Sequence, residues 1–110
     1  MAHVTGKKKT LTNTKIEEVK ANVPDVTVVG NGDMFQLLCK ASSDTEGWMK
    51  STKAMEIPGC GCVVQVTTQQ RDASGAYSVA EALVFVPHVK VVADVDGGKM
   101  LQNTAPVRPV

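Results

Sequence analysis

Two cysteines one residue apart, Cys60-Gly61-Cys62, are the first place to look for chemistry in this chain. Paired thiolates bind Zn²⁺, but a structural zinc site needs four ligands at a recognised spacing. The other soft donors are Cys39, His3 and His88, and none stands at a familiar distance from the pair. A glycine-rich turn leading into a strand, with Cys62 buried as a small apolar residue, accounts for the same residues. His88 follows Pro87 at a strand break, where a Cys–His nucleophile pair would need a third group to orient the imidazole. Asp94-Val95-Asp96-Gly97 resembles the opening of a calcium loop. The position that should carry a bidentate Glu is Ala105, so the segment reads as a turn. Phosphate-binding glycine loops, His-Glu-x-x-His and Gly-x-Ser-x-Gly are all absent. Adjacent carboxylates occur only at Glu17-Glu18, in the first turn of an expected helix, where acids complement the dipole. The expectation is therefore a protein that is not an enzyme, with no cofactor and no metal.

Two binding chemistries remain. Lys7-Lys8-Lys9 opens a segment, residues 1–22, holding five Lys and two Glu, a local charge of 5 − 2 = +3. Such an arm can contact phosphates without reading sequence. Trp48 flanked by Lys50 and Lys53 would add a stacking platform with basic neighbours. Four aromatic residues (Phe35, Trp48, Tyr77 and Phe85) are few for single-strand binding, so nucleic acid is the disfavoured alternative. The other surface is the polar strip Gln65, Thr67, Gln69 and Arg71, expected on a sheet edge, together with Leu83 and Phe85. Edge strands accept another strand from a second copy or from a partner. A homo-oligomer that also binds a protein partner is the leading expectation.

These residues sit in a chain of 110 with 12 Lys+Arg, 11 Asp+Glu and a net charge of +1. That length suits one domain. Near-zero net charge removes the broad attraction expected of a nucleic-acid coat. The longest apolar run, Leu83 to Pro87, is far short of the ~20 residues a spanning helix needs, so no membrane is expected. No secretory signal pattern opens the chain. Three cysteines, an odd number, do not make a secreted disulfide framework, and a cytoplasmic location is expected.

Residues 1–12 read as a flexible basic arm, 13–101 as a single α+β domain, and 102–110 as a disordered tail. Thr14 with Glu17 matches a capping box, and Ile16, Val19 and Val23 make one apolar stripe that Pro24 ends. Asn31-Gly32 predicts a hairpin joining Asp25–Gly30 to Asp33–Ala41, with Phe35, Leu37, Cys39 and Ala41 on one face. Ser43 to Ile57 is ambiguous. Ser43 with Glu46 could cap a helix, and helix is favoured because strand alternation fails in the middle. A second hairpin is clear: Cys62, Val64 and Val66 alternate with polar residues, a loop contains Asp72 and Gly75, and Tyr77 to Val86 returns. That last strand is apolar on both sides, which places it centrally or under a partner. Strands over Val89–Val95 and Lys99–Leu101 follow. The sum is a small antiparallel, meander-like sheet of about five strands with one or two short helices.

Three stretches, Gly47–Ile57 (GWMKSTKAMEI), Cys62–Gln70 (CVVQVTTQQ) and Ala80–Val89 (AEALVFVPHV), resemble small accessory proteins of tailed bacteriophages and prophages. The resemblance implies a bacterial or host cytoplasm and an accessory role. It carries over no activity and no functional residue.

Overall fold

A computed structural model describes residues 15–104. The chain divides between Asp33 and Met34 into two units. The lysine arm Lys7–Lys9, His3, Thr14 and the end of the chain from residue 105 lie outside the described residues.

In the first unit, α1 spans Ile16–Asn22 with Lys15 as its N-cap. Glu18, and not Glu17, reaches back to accept the Lys15 N–H at 3.2 Å. The Asp33 carboxylate accepts the Ile16 N–H at 2.8 Å, satisfying an orphan donor and setting a negative charge at the helix start. Val23 turns extended as its N–H closes on the Val19 carbonyl at 2.8 Å, and Pro24 follows. The expected hairpin about Asn31-Gly32 is corrected, since residues 25–30 form no strand. Asn31 Oδ1 takes the Asp33 N–H at 2.9 Å. A Cβ on Gly32 would come within 3.0 Å of the Ile16 side chain. The turn residues thus bring Asp33 to the helix and do not join two strands.

The second unit is mostly antiparallel sheet. Strands β1 (Gln36–Ser43), β2 (Trp48–Ile57), β3 (Gly61–Arg71) and β4 (Tyr77–Pro87) form a meander in the order β1-β2-β3-β4. β5 (Val89–Ala93) and β6 (Lys99–Asn103) make a separate two-stranded sheet. Among the described residues the architecture is therefore six strands in two sheets with one short helix, and the last strand runs past Leu101 to Asn103.

Ser43 to Ile57 is not helical, which corrects the favoured reading. Ser43 Oγ does accept the Glu46 N–H at 3.1 Å, so the capping geometry forms. Gly47, at φ 75°, then turns the chain into β2. Alternation fails in β2 because burial changes sides partway along. Met49 and Ser51 are buried on one face, Ala54 on the other. β3 repeats the change, with Cys62 and Val64 buried on one face and Thr67 and Gln69 on the other. A second correction concerns Leu37 and Cys39, expected on one face. A bulge between them pairs Leu37 with Lys53 but Cys39 with Thr52, so they point to opposite sides.

The core lies where β5 and β6 cover one end of the larger sheet. Ala54, Cys62 and Val64 form its centre, packed by Leu38, Val86, Val89, Val91 and Leu101. The chain reaches this position through a single-residue corner. His88 adopts φ 60°, the sole non-glycine residue with positive φ among those described, and its N–H donates to the Cys60 carbonyl at 3.0 Å. Glu56 Oε1 accepts the Val91 N–H at 2.9 Å and ties β2 to β5.

Two loops share one construction. Asp72-Ala-Ser-Gly-Ala and Asp94-Val-Asp-Gly-Gly each close by two backbone hydrogen bonds, from the first residue to the fifth and from the fourth back to the first. Gly75 (φ 90°) and Gly97 (φ 86°) occupy the left-handed position. The Asp72 carboxylate accepts from Ser74 and Ala76, and Asp94 accepts from Asp96 and Gly98.

Two measurements check this account. A Cβ on Gly61 would collide with the Val86 carbonyl, whereas one on Gly59 (φ 79°) would meet nothing within 4 Å. Gly59→Ala should cost about 1–2 kcal/mol, from backbone strain alone. Thermal melts should show Gly61→Ala losing more, and an equal loss would refute the close approach.

The Ser74 hydroxyl and the loop N–H groups hold the Asp72 carboxyl below its ordinary value. A depressed folded-state pKa gives stability that is complete above about pH 4 and lost as pH falls through the lowered value. Asp72→Asn should therefore flatten the acid limb of a stability–pH profile, and an unaltered limb would count against the loop's role.

Candidate interaction surface

β4 is rich in β-branched and aromatic residues, which suit a pleated strand. Among the described residues it pairs along its length with β3 alone, from Gly61↔Pro87 to Arg71↔Tyr77. It is therefore an edge strand, and the expectation of a central position is corrected. Tyr77, Val79, Leu83, Val84 and Phe85 are all exposed, with Leu83 at 61%. By alternation Tyr77, Val79, Leu83 and Phe85 share one face, interrupted by Glu81, while Val84 lies on the other with Ala80 and Ala82.

Glu81 is the one charged residue of β4. Gln65 Nε2 donates to its Oε1 at 2.8 Å, and Thr67 Oγ1 donates to the same oxygen at 3.3 Å. Both partners sit on β3, so the carboxylate is drawn back over the sheet and away from the open edge. The opposite edge is built differently: β1 is shorter, carries Lys40 and contains the bulge at Leu37/Cys39. Bulges and lysines are common devices that block edge-to-edge pairing. β4 has neither.

The polar strip falls elsewhere. Gln65, Thr67, Gln69 and Arg71 belong to β3, an inner strand, which corrects their expected place on an edge. Thr67 and Gln69 are buried, and the Gln69 Oε1 has no hydrogen-bond partner. Arg71 holds the β1–β2 loop, donating from Nη2 to the Asp44 and Thr45 carbonyls at 3.3 Å. Its side chain lies so close over Gly47 that a Cβ there would come within 2.8 Å of it. Leu83 and Phe85 alone of the expected interface residues lie on the open strand. Tyr77, Val79 and Val84 join them. The signal for the first two was the alternation Tyr77, Val79, Glu81, Leu83, Phe85, which continues through the acid.

The residues considered for nucleic acid are divided. Trp48 and Lys50 share a face, whereas Lys53 lies on the other, opposite Leu37 and Gln65. The Trp48 indole N–H donates to Glu46 at 3.1 Å, placing an acid beside the ring.

Among the thiols, Cys39 and Cys60 are exposed and Cys62 is buried. Cys62 Sγ donates to the Val89 carbonyl at 3.6 Å. Burial pushes its pKa up, and the nearby Glu56 charge adds to the shift. Among the described residues no group of three His, Cys, Asp or Glu could hold a metal, and no helix is long and apolar enough to cross a membrane.

A small antiparallel-sheet module with one unprotected apolar edge is the class this geometry defines. Residues 6–102 match the family model described as the Lockin family, and the chain belongs to that family. No curated protein and no solved structure matches it.

Thiol titration with a coloured disulfide reagent should give two fast equivalents, from Cys39 and Cys60. The third, Cys62, should react only on unfolding, because both burial and its raised pKa suppress the thiolate. Three fast equivalents would contradict the core.

Proposed function

We propose that this chain is a non-enzymatic interaction module that self-associates and binds a protein partner. One observation carries the reading: five large apolar side chains are exposed along one edge strand, β4. Several large apolar side chains exposed together on one strand of a small domain mark an interaction site. A strand edge adds a row of unpaired N–H and C=O groups able to receive another strand. The reading takes the chain as a cytoplasmic accessory protein of phage or prophage origin, on the strength of the three resembling stretches named above.

Light scattering coupled to size exclusion tests it on the full chain. The expected mass exceeds the 11.7 kDa of one chain, and Leu83→Lys should return it to that value. Because Leu83 is already exposed, the substitution should shift single-chain stability by no more than about 0.5 kcal/mol. A mass of one chain at all concentrations would overturn self-association.

A further inference from the structure

Resting on that reading, we infer that β4 pairs antiparallel with β4 of a second copy about a two-fold axis at Ala82, joining two four-stranded sheets into one. Three features of the strand select this occupant and this register.

The first is chemical match. An edge with apolar residues on both faces and one acid drawn inward has little to offer a charged strand. A second copy supplies a strand of equal length whose apolar residues also stand on both faces and whose one acid, Glu81, is likewise drawn back onto its own sheet. The joined sheet would have twice four strands, within the ordinary range of up to about ten.

The second is overlap. Residues directly opposite across an antiparallel pair point to the same face. A two-fold axis perpendicular to the sheet therefore passes through a residue and not between two. Ala82 is the midpoint of Tyr77–Pro87, so centring there pairs the whole strand. One face then sets Phe85 against Val79 of the copy and Leu83 against Glu81, and the other sets Val84 against Ala80.

The third is repulsion and size at the axis. Centring on Glu81 would oppose two like charges, which is destabilising across a pair. Centring on Leu83 avoids that but leaves Tyr77 and Ser78 without partners. With Ala82 on the axis, the two side chains that meet themselves are small and the two acids are offset.

Site-specific cross-linking of the full chain tests the register. The exposed Cys39 and Cys60 are first changed to Ser, and single cysteines are then placed at Ala80, Ala82 or Val84. In the stated register, the two copies of residue 82 lie about 5 Å apart. The two copies of residue 80, or of 84, are separated by four residues along the strand, about 13 Å. A short bismaleimide should convert most of the Ala82→Cys chain to covalent dimer, with at least a tenfold lower yield from Ala80→Cys and Val84→Cys. Adding Leu83→Lys should remove the Ala82→Cys product. An associated chain that cross-links best at residue 80 or 84, or at none of the three, overturns this pairing while leaving self-association standing. A chain that scatters as a monomer and does not cross-link removes both.

Discussion

The cover that β5 and β6 lay over one end of the larger sheet is the constraint on which the core of the second unit depends. β5 and β6 lie over one end of one face, and the residues beneath them, Ala54, Cys62 and Val64, are small. Small side chains let the two sheets approach, and two groups of the larger sheet, the Glu56 carboxylate and the Cys62 thiol, hydrogen-bond directly to the backbone of β5. Within the larger sheet, the end of β4 at Val86 and Pro87 leaves Gly61 no room for a side chain. The corner at His88 is what directs the hairpin there, holding a left-handed turn that L-residues adopt at a cost. Beyond the reach of this cover β4 stays open, and its apolar residues meet solvent.

The two edges of the meander show how one sheet can be closed to association on one side and open on the other. β1 departs from regular pairing at its bulge and carries a lysine. β4 runs regularly for its full length and has its acid turned back onto Gln65 and Thr67. The difference lies in backbone regularity and in the direction of one carboxylate.

The β3–β4 hairpin was legible in the sequence to within a residue at each end, because strict alternation and the Asp72–Gly75 loop agree. β2 was not. Its burial shifts faces between Ser51 and Ala54, so no single period survives, and Ser43 with Glu46 makes a helix cap's hydrogen bond inside a turn. Asn31-Gly32 carried a hairpin signature where the actual demand was for a glycine against Ile16 and an acid at a helix start. Of the candidate surface, the shared face of Leu83 and Phe85 on one strand was legible, since side-chain alternation is local. The strand order that makes β3 inner and β4 an edge depends on pairing between segments, which spacing along the chain does not encode. For that reason the strand carrying the Gln65–Arg71 strip is expected at an edge and lies inside the sheet.

The connections between β1 and β4 have a kinetic consequence. Every pairing in the meander joins neighbours in the chain through a short loop, so little loop entropy opposes its formation and the sheet should assemble quickly. β5 and β6 come later in the chain, and their docking onto Ala54, Cys62 and Val64 closes contacts across a longer separation. A chain whose meander closes first would hold Cys62 and Val64 bare beside the open β4 until the cover docks, so refolding yield should fall as protein concentration rises.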